Sequence, residues 1–265
     1  MWELYDDLLA GIPDDLHVKD AVAGNFWTVV ESELGVGVAG TVRSMTRPAL
    51  RRSPLVGAPL KEVAELVKSW NFIEASIGAA AMNAYYNTPE IAAQNGVLFS
   101  DGDERLNDPY IAYRNFARDR RVGCIGSDST VVDSLLKDVA EVTMFGEQQG
   151  AFPLSAVEYL MPEQDLIYLP CYSETTKELP RYLDTCKDRV VVICGPSVTM
   201  SPVLFRYGAF DMAGLVITDR DMAFESACGT AVKKMFAAGK KAALRRSEIK
   251  IFDKCKILSP RGGFK

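Results

Sequence analysis

Residues 188–202 read DRVVVICGPSVTMSP: a charged turn, five apolar residues, a glycine-proline-serine turn, then Ser201-Pro202. An apolar run of that length without alternation fits a strand buried on both faces, as in a parallel sheet. Ser201 is a good N-cap and Pro202 a good first helical residue, so a helix is expected next. The same strand-then-helix beat recurs on both sides. Strands are expected at 122–126, 139–145, 165–169, 190–194 and 215–218, and helices at 130–137, 155–160, 178–186, 202–207 and 222–235. Right-handed crossovers between such strands give a doubly wound, Rossmann-like parallel sheet. Ligands of these sheets bind beyond the carboxyl ends of the strands, where strand order reverses. In the usual order that point lies between the first and fourth strands, which singles out the loops beginning at Gly126 and Gly195.

The texture differs before residue 118. Residues 18–31 and 36–42 read as the two strands of a hairpin, with Gly35 and Gly37 as turn or bulge residues. Helical spacing starts at Pro59 and resumes over 72–86, ahead of Pro89. Strands first and helices after suggest a small α+β unit. The expected division is therefore 1–118 for the α+β unit, 119–238 for the Rossmann-like unit and 239–265 for a basic C-terminal tail.

Length and composition agree. A chain of 265 residues favours two domains, and with 48% hydrophobic and 25% charged residues it has enough apolar material for a core. Its apolar runs are about six residues long where a membrane helix needs roughly 20, so no membrane partner is expected. The first fifteen residues carry Glu3, Asp6, Asp7, Asp14 and Asp15 and no basic residue, the opposite of a secretory leader, and a cytoplasmic location is expected. Six cysteines at 124, 171, 186, 194, 228 and 255 form no CxxC pair, which favours reduced thiols over disulfides. The net charge of -5 divides into +7 over residues 239–265 and -12 elsewhere. Tail and body attract each other, and a solvated or self-docking tail is favoured over nucleic-acid binding: no aromatic residue is interleaved before Phe252 and no nucleic-acid module precedes it. A homodimer is a base-rate expectation only.

Several residues are candidates for chemistry. Gly126-Ser127-Asp128 lies where a strand gives way to a helix, a place that suits an anionic ligand. Gly123 and Gly126 have the spacing of the last two glycines of a dinucleotide fingerprint, and Glu147 stands where its ribose-binding acid would. Arg121 occupies the first glycine position, so a nicotinamide site has little support and no cofactor is assigned. Gly195-Pro196-Ser197 offers a stiff turn with a hydroxyl, and the polar run from Cys171 to Thr176 should face the same crevice. Cys124, Cys171 and Cys194 fall in or just after strands of one sheet, where thiolates could hold a soft metal. Short ligand spacing is missing and His17 is the one histidine, so buried inert thiols are the plainer reading and no metal ligand is assigned. In the first unit, the small residues at 75, 76 and 78–81 let another backbone come close. Glu74 and Asn83 interrupt this otherwise apolar helix, which makes Glu74 a candidate acid/base, with Asn71 or Asn83 orienting its partner.

Taken together, Gly35-Val36-Gly37, the helix running from Lys68-Ser69-Trp70-Asn71 to Asn83-Ala84, Asn107-Asp108-Pro109, and Gly195-Pro196-Ser197 with Ser201-Pro202 resemble the "putative heavy-metal chelation" family, first catalogued as a domain of unknown function. The resemblance covers roughly residues 1–238; Ser127-Asp128-Ser129 departs from the bulkier, proline-containing turn of the family. It implies an α/β fold in which a small α+β enolase N-terminal-like domain precedes a Rossmann-like doubly wound parallel sheet. It also implies a cleft between the halves that takes a polar, anionic or metal-chelating small molecule, with hydrolysis or condensation on that molecule left open. Glu74, Asn71 and Asn83 would face this cleft from one half, and Gly126, Ser127, Asp128, Cys171, Gly195, Pro196 and Ser197 from the other. Two alternatives stand beside this reading: a non-catalytic thiolate metal-binding protein, and a methyltransferase-type enzyme using the Rossmann-like half.

Overall fold

The computed structural model describes residues 2–44, 47–100, 107–126 and 139–246. The acid-rich start is a helix, α1 (Glu3–Ala10), which buries Leu4, Tyr5, Leu8 and Leu9 and carries Glu3 and Asp6 in its first turn, where carboxylates suit the helix dipole. Three strands follow, β1 (Val18–Ala23), β2 (Trp27–Ser32) and β3 (Val36–Gly40), in an antiparallel meander of that order. The expected single strand over 18–31 is thus two. The break falls at Gly24, which packs so closely on the backbone of Ala227 that no side chain would fit there, and whose N–H turns back to Trp27 O at 2.8 Å.

Next come α2 (Leu60–Ala64), a 3-10 turn over Glu65–Lys68, and α3 (Phe72–Tyr86), whose ends are those the spacing predicts. The helix α3 lies on one face of the meander. Gly37 in β3 sits against the backbone of Ala80 and Ala84, so the small residues of α3 serve strand-on-helix packing at a distance no larger residue allows. The other face of the meander, with Trp27, Val29, Val36 and Val38, packs against Leu215, Ile217, Ala223 and Met235 of the second half.

The second half is a seven-stranded sheet. Its strands are β4 (Leu98–Phe99), β5 (Arg121–Ile125), β6 (Glu141–Phe145), β7 (Leu166–Pro170), β8 (Val190–Cys194), β9 (Asp211–Ile217) and β10 (Gly239–Arg245), in spatial order β4-β10-β9-β8-β7-β5-β6. β6, β5, β7, β8 and β9 are mutually parallel, whereas β10 runs antiparallel to β9 and pairs with the short β4. This is the Rossmann-like α/β architecture expected, with two differences. The parallel strands are ordered 2-1-3-4-5 by their place in the chain, so the reversal lies between the first and third strands, β5 and β7, and not between the first and fourth. Sequence periodicity shows which segments are strands but not on which side of the first strand each one lands, and both orders obey the same crossover rule. Second, Gly239–Arg245 is not the start of a tail. Ala242, Ala243 and Leu244 are buried as part of β10, and the flanking Lys and Arg residues concealed that short apolar triplet. The helix expected over 222–235 is also shorter: it spans Arg220–Cys228, starts on the Asp219 side chain and stops at Gly229.

One apolar core spans both halves, joining Leu8, Val67 and Met82 to Ile167, Val191 and Met200. The opposite face of the large sheet is covered by the Pro109–Ala112 and Arg114–Ala117 helices, whose Tyr113 and Ala117 pack on Val122, Tyr168 and Val192. Among the described residues no helix is long and apolar enough to cross a membrane.

Candidate functional site

A helix as apolar as α3 has no local use for an asparagine, yet it carries Asn83 fully buried, with Asn87 just past its end. Both reach across to the segment after β8. Asn83 Nδ2 donates to Val38 O at 2.9 Å and to Ser197 O at 2.8 Å. Asn87 Nδ2 donates to Val198 O at 2.9 Å, and its Oδ1 accepts the Met200 N–H at 2.8 Å. Ser197 Oγ accepts the Gly40 N–H at 2.6 Å, tying the end of β3 to the same segment. Thr199 Oγ1 lies 2.9 Å from Asn83 Oδ1 and 2.8 Å from Glu174 Oε1. Farther along α3, Ser76 Oγ accepts the Val42 N–H at 3.0 Å. Buried polar groups must find partners inside the protein, and here, apart from the Ser76 hydroxyl donating to Phe72 O within α3, the partners of these α3 side chains lie in the other half or in and just after β3. The result is a polar seam between α3 and β3 on one side and the exits of β7 and β8 on the other.

The strand exits bring most of the expected ligand-binding residues to this seam. Cys171 N–H donates to Cys194 O at 2.9 Å, and Gly195 N–H to Ala213 O at 2.9 Å. Gly195 has φ +129°, and a side chain there would strike the Cys171 sulfur. Burial pushes the Cys171 thiol above its usual range, with hydrogen bonding to Ser197 opposing the shift, while burial pushes Cys194 up to about 12. Both sulfurs are therefore held as thiols. Pro196 is half-buried beside them. Gly126 sits apart, at the true reversal point of the sheet; it has φ +61°, and a side chain there would meet the Tyr172 hydroxyl. Ser127 and Asp128 lie outside the described residues.

Glu74 and Asn71 are placed elsewhere, at the start of α3. Asn71 is the N-cap and accepts the Glu74 N–H at 3.0 Å. The Glu74 carboxylate takes three donors: Leu50 N–H at 2.8 Å and Arg51 N–H at 2.7 Å on Oε1, and Ser69 Oγ at 2.6 Å on Oε2. A carboxylate so filled anchors the segment around residues 50 and 51, and no ligand is needed to explain its burial. Asn83 and Glu74, expected to act together, face different partners from opposite parts of α3.

Glu174 was read in the sequence only as part of the polar run, and Lys177, beside the seam, went unread. Glu174, 1% exposed, lies within the polar run after β7, on the seam itself; burial lifts its carboxyl to about 7, with bonds from Thr199 opposing. Lys177 follows three residues later with φ +65°. Its Nζ donates to Thr175 O at 2.9 Å and to Ser69 O, and lies 5.0 Å from the Phe72 ring centre and 5.6 Å from that of Trp70. No carboxylate of the described residues pairs with this half-buried ammonium, and burial lowers it to about 8. Its position just beyond the polar run, within six consecutive polar residues from Ser173 to Glu178, was the available signal. Among the described residues no three His, Cys, Asp or Glu side chains gather into a group that could hold a metal ion.

Two family models, both described as "Putative heavy-metal chelation", match residues 5–86 and 108–245. A solved protein of unknown function from the DUF364 family of Desulfitobacterium hafniense is 36% identical over 93% of this chain and 99% of its own, with a TM-score of 0.82. A second, from Pyrococcus horikoshii, is 21% identical over 92% of this chain and 98% of its own, with a TM-score of 0.71, and shares the fold. No curated protein matches.

Proposed function

The chain belongs to the "Putative heavy-metal chelation" family, and from the seam between its halves we propose that it binds a polar small molecule that is anionic, a class that includes carboxylate metal chelators. The observation that carries this reading is Lys177: a half-buried ammonium at the edge of the seam that meets two carbonyls and two aromatic rings and, among the described residues, no carboxylate. A cation removed from water without a counter-charge is costly, and an anionic ligand would supply that charge. Ser197, Gly195, Pro196 and Cys171 stand at the neighbouring strand exits, where ligands of doubly wound sheets are held. The link to heavy metals then runs through a chelating molecule and not through direct ligation. The thiolate alternative has less support among the described residues, because Cys171 and Cys194 are buried and a metal would have to displace protons held more tightly than in water.

Native mass spectrometry of the purified protein, set against its denatured mass, tests this directly. An organic anion released on unfolding is the expected result, and a metal-sized adduct lost in Cys→Ser variants would replace this reading with direct chelation. Titration calorimetry with citrate as a probe chelator adds a residue-level arm. Lys177→Met is expected to weaken citrate binding at least about tenfold, the effect of losing one charge-assisted bond. Equal affinity in the variant would remove Lys177 from the site.

A further inference from the structure

The seam contains one oxygen too many for its protons. Asn83 can be oriented in one way only, because its Nδ2 lies between two carbonyl oxygens, Val38 O and Ser197 O, and a flipped amide would set three acceptors against one another. Asn83 Oδ1 therefore faces Thr199 Oγ1 at 2.9 Å as an acceptor. Glu174 Oε1 faces the same hydroxyl at 2.8 Å. A threonine hydroxyl has one proton and can donate to one of them. With Glu174 ionised, two of these three oxygens would touch with no proton between them, inside a site shielded from water. Glu174 Oε2 has no partner among the described residues, so an ionised carboxylate would also be left half unsatisfied.

We infer that Glu174 is carried as the neutral carboxylic acid, donating its own proton to Thr199 so that Thr199 donates to Asn83, and that losing this proton unfastens the junction between α3 and the segment after β8. The chain then reads Glu174 O–H to Thr199, Thr199 O–H to Asn83, and Asn83 N–H to Val38 and Ser197. Every step has one donor and one acceptor, and the relay ties the second half to both α3 and β3. The neighbours of Glu174 agree with this. Tyr5 of α1 donates its hydroxyl to Glu174 O at 2.8 Å, and Cys171 lies beside it at the end of β7; burial holds both protonated at neutral pH. Lys177 turns its ammonium to Ser69 and Thr175, and Glu178 accepts from Thr176 and Tyr182, so neither compensates the acid. Burial raising this carboxyl to about 7 sets the range over which the junction responds. The relay is complete without any occupant of the neighbouring site, so it stands whether or not the protein binds an anion there.

Carbon-13 NMR of the wild-type full chain labelled at glutamate side-chain carboxyls provides the first test. One glutamate still protonated at pH 6 and titrating near 7 is expected, and a spectrum in which every glutamate is ionised at pH 6 would overturn the inference. Hydrogen exchange provides the second, at pH 6 and pH 8 and corrected for the intrinsic chemical rate. Protection of the Gly40 and Met200 amides is expected to fall about tenfold or more at the higher pH. Glu174→Gln, whose amide donates at either pH, is expected to keep that protection level. Protection in the wild type that does not change with pH, or a variant that still responds, would defeat the latch.

Discussion

Glu74 and Glu174 are both glutamates withdrawn from water near α3, and the chain treats them in opposite ways. Around Glu74 the structure gathers donors: two backbone N–H groups and a serine hydroxyl converge on the carboxylate from one side of the helix start. Around Glu174 it sets only Thr199, whose single hydroxyl proton is shared with an asparagine carbonyl, and among the described residues Oε2 has no partner. A third buried acid, Asp211 on the tyrosine-covered face, is handled in yet another way, with Arg245 Nε and Tyr113 Oη each 3.0 Å from its Oδ2. Burial alone therefore does not say what a carboxyl group does. Donors make it an anchor, a guanidinium makes it half of an ion pair, and a shortage of donors makes it an acid.

The largest effect that separates these environments is expected at Asp211. Arg245→Met leaves a fully buried carboxylate without its cation, and breaking such a pair typically costs about 3–5 kcal/mol. Urea unfolding at pH 7 measures it. A loss below about 1 kcal/mol would mean that the tyrosine alone satisfies Asp211, and the distinction between pair and acid would collapse.

Glu174 should come next, and its signature is a slope. The folded chain keeps this proton up to about 7 while an unfolded glutamate releases it near 4.5, so between those values the folded state binds more protons than the unfolded one. Stability then declines as pH rises through that interval and levels off above it, by about 3 kcal/mol in all at about 1.4 kcal/mol per unit. The difference between wild type and Glu174→Gln, followed by denaturant unfolding from pH 4 to pH 8, isolates the contribution. A constant difference across that range would show that Glu174 is not an acid of this kind.

Glu74→Gln bears on the other side of the comparison. The amide oxygen still accepts from Leu50 and Arg51, now as neutral bonds, but the amide nitrogen cannot accept the Ser69 hydroxyl, a combined change of about 1–2 kcal/mol. Thermal unfolding should register that loss, and limited proteolysis should show faster cutting near residues 50 and 51. Unchanged stability would mean that the segment is held by other contacts and that the carboxylate is free for another role.

How much of this was open to sequence reasoning depends on whether the property is local. The ends of α3 and the strand Val190–Cys194 follow from spacing and capping within a few residues. The order of strands does not, because β5 gains β6 on one side and β7 on the other through crossovers whose direction leaves no mark on residue pattern. Nor does the strand Gly239–Arg245, whose apolar centre of three residues is outweighed by its charges until β9 is there to pair with it. At the site, Asn83 stood out because an amide among alanines needs a distant partner. Glu174 did not: a glutamate after a strand is usually solvated, and only burial by segments distant in sequence makes it an acid. Residue type identified which polar groups were out of place, while tertiary contact decided what each one does.

The smallest expected effect tests whether Glu74 is local in that sense. Asn71 caps α3 by accepting the Glu74 N–H, and its Nδ2 donates to Arg47 O at 2.7 Å, so cap and carboxylate hold neighbouring stretches of the same segment. Replacing an asparagine N-cap with alanine usually costs about 1 kcal/mol. If the two residues form one anchor, Asn71→Ala and Glu74→Gln should couple, and the double variant should lose less than the sum of the single losses. Glu174→Gln combined with Asn71→Ala should simply add, since their partners are not shared. Unfolding free energies of the five variants and the two double-mutant cycles decide it. Coupling between Asn71 and Glu174 would mean that α3 transmits strain from its cap to the seam, and that the anchor and the acid are one device.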